Sequence, residues 1–344
     1  MPNSRKVLVT GGAGYIGSHT VVSLAQADYQ PVILDNYSNS SPQVIDGLEN
    51  ILGEKVIHYR ADCCDQQEVL KILKQEQISG AIHFAASKAV GESVTMPLHY
   101  YYNNLNSLVV LLKSMNQLAI TNFVFSSSCT VYGQPDELPV TEETAPKPAE
   151  SPYGNTKKIG EDIIHDVVNS KVGLKAVSLR YFNPIGAHSS AKIGELPIGA
   201  PSNLIPFITQ TAAGIREKIT IFGDDYQTVD GTCVRDYIHV VDLAQAHVRA
   251  LDYLQEQSTD NFYEVFNLGT GSGTTVMEVV QTFERVTGVK LNYEIGPRRQ
   301  GDVEQIYASV EKASSVLNWQ ASKGLDEALA AAWKWQQSLS KHYD

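Results

Sequence analysis

Residues 6–19 read KVLVTGGAGYIGSH, and this stretch predicts the fold. Its first five residues are mostly apolar or β-branched, which is typical of a buried strand. Glycines follow at Gly11, Gly14 and Gly17, and a helical pattern runs from about Tyr15 to Ala27. Such glycines permit a tight turn and let the backbone approach a pyrophosphate closely. The N-terminus of the following helix offers free N–H groups to the phosphates. The order strand, glycine turn, helix therefore indicates a dinucleotide-binding domain.

An acidic residue at the end of the second strand indicates which dinucleotide is bound. Asp35 closes the strand PVILD, 18 residues after Gly17. A carboxylate there accepts hydrogen bonds from both adenosine ribose hydroxyls and repels a 2′-phosphate, so NAD is favoured over NADP. Asp62 closes the third strand, where it either meets the adenine or forms a turn, and the sequence leaves both open.

Strands and helices alternate regularly up to Asn183-Pro184. This alternation predicts an α/β fold with a Rossmann-type doubly wound parallel sheet and a smaller C-terminal substrate-binding α/β lobe. We expect the NAD-binding domain over 1–183, with contributions from about 236–270, and the lobe mainly over 184–344. The predicted strands are 31–35, 55–62, 80–86, 122–128, 175–182 and 263–268; the predicted helices are 66–77, 98–117, 153–170, 242–257, 276–287 and 325–341.

The composition excludes several classes of partner. The chain has 344 residues and a net charge of -11, which disfavours binding to nucleic acid or to an anionic membrane surface. No apolar run approaches the roughly 20 residues that span a bilayer. The N-terminus lacks the pattern of a secretory leader. The four cysteines show neither metal-type spacing nor a disulfide framework, so we expect a cytoplasmic protein without a metal site.

A tyrosine and a lysine four residues apart suggest the chemistry. Tyr153 and Lys157 share one face of a predicted helix, where the ammonium is expected to lower the tyrosine pKa. Such a tyrosine can remove a hydroxyl proton while hydride leaves the same carbon. The run Ser126-Ser127-Ser128 ends the preceding strand, and one of its hydroxyls can orient the substrate.

Four motifs carry a resemblance to a known family. They are GGAGYIG (11–17), SSSCTVYG (126–133), YGNTK (153–157) and RYFNPIGAH (180–188). The chain resembles the extended short-chain dehydrogenase/reductase family from end to end, and within it the UDP-glucose 4-epimerases. One departure is Ala85-Ala86-Ser87-Lys88, where the family often has Ala-Gly-Leu-Lys.

The resemblance implies a set of site residues. Ser128, Tyr153 and Lys157 form the catalytic trio and also contact the cofactor. The other implied NAD contacts are Gly11, Gly14, Tyr15, Ile16, Gly17, Asp35, Asn36, Ser38, Asn39, Ser40, Asp62, Cys63, Phe84, Ala85, Lys88, Asn103 and Phe182. The implied UDP-sugar contacts, besides Lys88, Ser128 and Tyr153, are Asn183, Asn203, Leu204, Thr220, Phe222, Arg235, Tyr237, Arg299, Asp302 and Ile306.

The resemblance also implies a reaction and an assembly. We expect interconversion of UDP-galactose and UDP-glucose through a transient 4-keto sugar, with NAD held as a bound group. Ile306 is intermediate in size between residues expected to admit and to obstruct N-acetylated sugars, so UDP-GlcNAc/UDP-GalNAc is a second substrate pair. The helices at 98–117 and 153–170 carry extra apolar positions, and family members dimerise through two such helices. A homodimer with a four-helix bundle is therefore expected.

Two other functions compete with this interpretation. A nucleotide-sugar 4,6-dehydratase or a decarboxylase shares the oxidation step, but dehydratases carry an Asp-Glu pair just after the active-site Ser or Thr. Here those positions are Cys129 and Thr130, and no distinctive signal for a sugar carboxylate site is seen. A non-catalytic dinucleotide sensor has no use for the pair Tyr153 and Lys157.

Overall fold

The structure is a computed structural model that describes residues 5–299 and 302–340. The strands are β1 (Lys6–Thr10), β2 (Gln30–Asp35), β3 (Ile57–Arg60), β4 (Gly80–His83), β5 (Asn122–Ser126), β6 (Lys175–Tyr181), β7 (Asn183–Ile185), β8 (Ile219–Phe222), β9 (Val234–Arg235), β10 (Tyr237–His239), β11 (Phe262–Leu268), β12 (Thr274–Thr275), β13 (Tyr293–Gly296) and β14 (Gln305–Ile306). The helices are α1 (Tyr15–Gln26), α2 (Gln43–Leu52), α3 (Gln66–Gln75), α4 (Val90–Thr95), α5 (Pro97–Gln117), α6 (Pro152–Asn169), α7 (Leu204–Ala212), α8 (Val240–Glu256), α9 (Val276–Thr287), α10 (Glu311–Val316) and α11 (Leu325–Ser340), with a 3-10 turn over Cys129–Tyr132.

The central sheet has seven strands in the order β11-β6-β5-β4-β1-β2-β3. Every neighbouring pair in it is parallel. The chain adds strands outward on one side of β1 and then crosses to β4 on the other side. Ligands of such sheets bind at the carboxyl ends of the strands where this reversal occurs. The predicted doubly wound parallel sheet is confirmed, and its crevice lies between the ends of β1 and β4.

Apolar side chains cover both faces of the sheet. One buried cluster joins Val9, Ile33 and Phe266 with helices α1 and α8. The opposite cluster joins Leu8 and Phe123 with α3, α5 and α6. A parallel sheet has buried faces on both sides, and its strands read as continuous apolar runs for that reason.

Helix α2 is an element that the sequence pattern did not predict. It contains Gly47, a residue that disfavours the interior of a helix. The structure explains this glycine, because a Cβ there would lie 2.5 Å from the Lys192 carbonyl oxygen. Gly47 therefore lets α2 approach the segment that follows β7.

The second half of the chain adds a lobe with its own core. Helices α7, α9 and α11 bury Ile208, Phe283 and Leu329 against one another. Three small sheets accompany them: β10 with β7, β13 with β8, and β12-β9-β14. The predicted domain boundaries stay a prediction. Among the described residues no helix has the length and apolar character needed to cross a membrane.

Buried histidines make the fold sensitive to acid. Burial lowers the pKa of His19 and of His83 to about 3, and that of His247 to about 4. In the unfolded chain these groups titrate near 6.5. Their contribution to stability is complete above that pH and is lost as the pH falls, because only the unfolded state takes up the proton. At pH 5 each such histidine is expected to lower the free energy of unfolding by about 2 kcal/mol.

Urea unfolding at pH 7.5 and pH 5.0 measures this effect. The substitution His247→Phe should shrink the difference between the two pH values, since it removes one titrating group whose Nε2 has no hydrogen-bond partner among the described residues. Equal stability of the parent protein at both pH values would contradict the prediction.

Candidate active site

The glycine turn after β1 is shaped by close backbone contacts. Gly11 has φ +69°, and a Cβ there would lie 2.8 Å from the backbone nitrogen of Ala85. A Cβ on Gly17 would lie 2.2 Å from the Gly11 carbonyl oxygen. Gly14 is the N-cap of α1 and provides no side-chain hydrogen bond. The first turn of α1 thus keeps N–H groups without intrahelical acceptors, which fits the pyrophosphate of a dinucleotide.

Asp35 lies beside this turn and is held by three donors. Its Oδ2 accepts from the Ala13 N–H at 3.0 Å, and its Oδ1 accepts from the Tyr37 N–H at 2.8 Å and the Ser40 hydroxyl at 2.9 Å. A carboxylate offers about four acceptor positions, so roughly one is left for a ribose hydroxyl. Asp62 accepts from the N–H of Cys64 at 2.8 Å, which gives it the turn-forming role while its other oxygen accepts from the Asn36 amide at 3.1 Å.

The other predicted cofactor residues surround the same crevice with different roles. The Tyr15 hydroxyl donates to the Gly186 carbonyl at 2.7 Å. Phe84 follows β4, and its ring packs 4.7 Å from that of His247. The side chain of Cys63 packs in the core, so a contact to the cofactor would have to come from its backbone. The segment after Asp35 is ordered by the bond from the Ser38 N–H to Asn36 at 2.9 Å, with Asn39 beside it. The amide of Asn103 donates to the Ser87 hydroxyl at 3.3 Å.

The predicted catalytic trio comes together at the start of α6. Ser151 caps this helix by accepting from the Gly154 N–H, and Tyr153 lies in the first turn. The Lys157 ammonium donates to the Ser126 carbonyl at 2.6 Å and lies 5.8 Å from the centre of the Tyr153 ring. Ser128 is buried and caps the following 3-10 turn. The Ser128 hydroxyl lies within hydrogen-bonding reach of Tyr153, so the three side chains lie close together.

The expected lowering of the Tyr153 pKa is wrong for the protein alone. Burial raises the pKa of Tyr153 above its usual range, Tyr181 and Cys129 add to the increase, and Ser128 opposes it. Burial also lowers the pKa of Lys157 to about 8, although Glu161 acts in the opposite direction. Desolvation is the largest cause of both shifts.

Two predicted substrate cations meet at one carboxylate. Arg299 donates to Asp302 through Nη2 at 2.7 Å and Nε at 3.1 Å, and an Arg235 nitrogen lies 3.7 Å from the same group. The neighbouring Arg298 instead binds Asp225 at 2.6 Å and lies over the Tyr226 ring at 4.0 Å. Arg298 and Arg299 are adjacent in the sequence, but their side chains bind different carboxylates. Of the two, Arg299 is the one that lies beside Arg235.

Glu195 contacts two predicted site residues and was not identified from the sequence. Its carboxylate accepts from Lys88 at 3.3 Å and from the Asn203 amide at 2.6 Å. Lys88 follows β4 of the sheet, and Asn203 precedes α7 of the lobe. Glu195 therefore bridges the two halves of the site. No local signal could have identified it, because Lys88 lies 107 residues away in the chain.

The remaining predicted substrate residues lie on the lobe side. Ile306 is buried with Phe182 in one cluster and pairs with Arg235 across β14 and β9. Asn183 pairs with Tyr237 across β7 and β10. The others lie on two elements of the lobe, namely Leu204 at the start of α7 and Thr220 and Phe222 on β8.

The two positions after Ser128 contain no carboxylate. Burial raises the pKa of the Cys129 thiol to about 12, so this group stays neutral. The Thr130 hydroxyl is buried and makes no hydrogen bond within the described residues. Neither side chain can act as the acid and base that elimination of water requires.

Comparison with known proteins assigns the family. A family model described as GDP-mannose 4,6 dehydratase matches residues 8–332. A UDP-glucose 4-epimerase of Drosophila melanogaster is 46% identical, with 98% of each chain covered. The chain belongs to the UDP-glucose 4-epimerase family. The predicted resemblance is confirmed, and the missing carboxylates after Ser128 agree with it.

Solved structures of this epimerase family have the same fold. The epimerase of Stenotrophomonas maltophila, with bound NAD and formylated UDP-arabinopyranose, is 44% identical with a TM-score of 0.95, covering 98% of this chain and 99% of that one. The epimerase of Bifidobacterium longum, in complex with NAD+ and UDP, is 44% identical with a TM-score of 0.93, covering 97% and 98%.

Proposed function

We propose that the chain interconverts UDP-galactose and UDP-glucose by inverting one carbon, with NAD as a bound group. The observation that carries this proposal is the arrangement around Ser128. Tyr153 and Lys157 converge beside it, whereas Cys129 and Thr130 supply no further acid or base. Such a site can remove and return a proton but cannot eliminate water.

The residues of the crevice fit NAD. The turn at Gly11, Gly14 and Gly17 leaves backbone N–H groups for the pyrophosphate, and Asp35 keeps one acceptor position for the adenosine ribose. A 2′-phosphate would meet this carboxylate, so NADP is disfavoured. NAD, when bound, supplies the hydride acceptor and a positive charge that favours the ionised form of Tyr153.

The chain's own residues manage the proton and the orientation of the sugar. The Tyr153 oxygen takes the proton of the sugar's 4-hydroxyl, while the Ser128 hydroxyl orients that group. Lys157 stabilises the phenolate by its charge and anchors to the Ser126 carbonyl. The 4-keto sugar then turns about its link to the diphosphate. Tyr153 returns its proton to the 4-oxygen as that carbon regains the hydride on its opposite face, so the net reaction is inversion.

This mechanism requires firm binding of UDP and loose binding of the sugar. Arg235 and Arg299 can clamp the diphosphate, and Asp302 can accept from the uridine ribose. Binding energy is thereby placed away from the reacting carbon, which can take two orientations. We include the N-acetylated pair among the substrates, since Ile306 is of intermediate size.

Chromatography of the product formed from UDP-galactose tests the proposal. UDP-glucose is the expected product. A 4-keto-6-deoxy sugar would assign a dehydratase, and formation of CO2 and a pentose from a UDP-uronic acid, with no conversion of UDP-galactose, would assign a decarboxylase. Absorbance of the purified protein at 260 nm relative to 280 nm reports bound NAD in the same sample.

The adjacent arginines give a matched test of the diphosphate site. The substitution Arg299→Ala should raise KM for UDP-galactose about 10- to 100-fold, because it removes a charge-assisted contact worth about 1.5–3 kcal/mol. The substitution Arg298→Ala should leave KM nearly unchanged, since this side chain lies against Asp225 and the Tyr226 ring and not beside the carboxylate that Arg235 and Arg299 share. Steady-state kinetics of both variants measure KM for UDP-galactose. Equal increases in KM would refute the assignment of diphosphate binding to Arg299 rather than Arg298.

We further propose that two copies of the chain form a dimer through α5 and α6. Leu98 (82% exposed), Tyr102 (70%) and Val109 (41%) recur at helical spacing on α5. A second copy would bury this apolar row in a four-helix bundle. The substitution Leu98→Glu should yield monomers by sedimentation velocity. Val316→Glu, at another exposed valine, is the control, and an unchanged sedimentation coefficient for Leu98→Glu would contradict the proposed surface.

We place the enzyme in the cytoplasm. All four cysteines are free thiols, which suits a reducing compartment.

A further inference from the structure

A buried polar network lies behind the end of β5 and contains residues that the mechanism above does not use. The Ser127 hydroxyl donates to the Glu161 carboxylate at 2.5 Å. Arg180 binds the same carboxylate with Nη2 at 2.6 Å and Nε at 2.9 Å, and its other nitrogen donates to the Tyr132 hydroxyl at 3.0 Å. Ser127 is fully buried, and Glu161 and Arg180 are 7% and 6% exposed.

This network fixes the segment 126–128 against α6. Tyr153, Lys157 and Glu161 are spaced four residues apart on α6 and therefore share one face of the helix. Lys157 binds the Ser126 carbonyl, and Glu161 binds the Ser127 hydroxyl. The end of strand β5 is thus attached to the helix at two successive residues, immediately before Ser128.

The negative charge of Glu161 is balanced by Arg180 and does not need the Ser127 hydroxyl. A bidentate Arg–carboxylate pair is complete in itself and strong when buried. The serine hydroxyl adds one bond to that pair, and this bond attaches the backbone between Ser126 and Ser128 to it. A buried hydrogen bond to a charged group allows only a narrow range of distances and angles. It therefore restricts the position of the strand end that is attached to it.

We propose that Ser127 is a positioning residue: through Glu161 and Arg180 it sets the position of the Ser128 hydroxyl relative to Tyr153. It does not touch the substrate. This inference rests on the proposed function, since it assigns Ser127 a role in the same proton transfer. Reacting groups lose rate steeply when misplaced, and a displacement of about 1 Å can cost on the order of 100-fold.

The substitution Ser127→Ala tests the inference while leaving the Glu161–Arg180 pair in place. We expect kcat to fall about 10-fold, with KM for UDP-galactose and bound NAD unchanged. Ser114→Ala is the matched control, because Ser114 is equally buried but donates only to Val110 within α5. It should keep the parent kcat and a comparable melting temperature.

A double substitution separates positioning from general destabilisation. If Ser127 acts through Ser128, adding Ser127→Ala to Ser128→Ala should lower kcat by less than about 2-fold further, since the group to be positioned is already gone. The same 10-fold loss in both backgrounds would overturn the proposal, as would a parent-like kcat for Ser127→Ala. Parent activity on UDP-galactose is measured alongside. Its absence would instead refute the proposed function.

Discussion

The substitution Tyr153→Phe is expected to lower kcat by about 100- to 10,000-fold, the usual range for loss of a general base. The change removes only the hydroxyl group that takes the proton of the sugar. Affinity for UDP and the content of bound NAD should stay close to those of the parent, because Arg235, Arg299 and the glycine turn are untouched. Steady-state kinetics with UDP-galactose, together with the absorbance of the purified variant, measure both quantities.

Tyr29→Phe is the control for removal of a buried tyrosine hydroxyl. Tyr29 is buried and donates to Asp252 at 2.6 Å, outside the crevice. The kcat of the Tyr29→Phe variant, per folded protomer, should equal that of the parent. A Tyr153→Phe variant with parent-like kcat would remove this residue from the mechanism.

The substitution Gly17→Ala is expected to abolish retention of NAD. A Cβ at this position would lie 2.2 Å from the Gly11 carbonyl oxygen, which is backbone and cannot rotate away. Relief of this overlap must move the turn between β1 and α1, at a cost of about 1–3 kcal/mol. The N–H groups of the first helical turn would then no longer converge on the pyrophosphate. We expect a lower melting temperature, little bound NAD and little activity without added cofactor.

Gly91→Ala is the matched control for an alanine in a helix. Gly91 lies in α4, and a Cβ there would meet no atom within 4 Å. Alanine favours helices over glycine, so this variant should be as stable as the parent or slightly more so. A Gly17→Ala variant that retains NAD like the parent would show that the turn tolerates the displacement.

The parts of the fold that depend on local patterns were predictable from the sequence. The apolar strands, the glycine turn and the position of Asp35 each depend on residues that are close together in the sequence. The structure confirms the parallel doubly wound sheet that they predict. Helix α2 was missed because Gly47 weakens its helical signal and is required by a contact with a segment far along the chain. The family was also predictable, since its motifs are contiguous.

The parts of the site that depend on distant contacts were not predictable. Glu195 meets Lys88 and Asn203 only because the lobe folds back over the sheet. The direction of the Tyr153 pKa shift depends on how much water the hydroxyl loses, and spacing along a helix does not determine that. The individual roles of the predicted cofactor and substrate residues stay predictions.

The most direct test of the central claim is conversion of UDP-galactose by the purified protein without added NAD. We predict many turnovers per protomer, UDP-glucose as the product, and the same final ratio of the two sugars from either direction. Bound NAD should be unchanged at the end, because the hydride taken from the sugar in the first half of the reaction is returned to it in the second. Product that stops near one equivalent per protomer, or that forms only with added NAD, would contradict a net inversion with a retained cofactor.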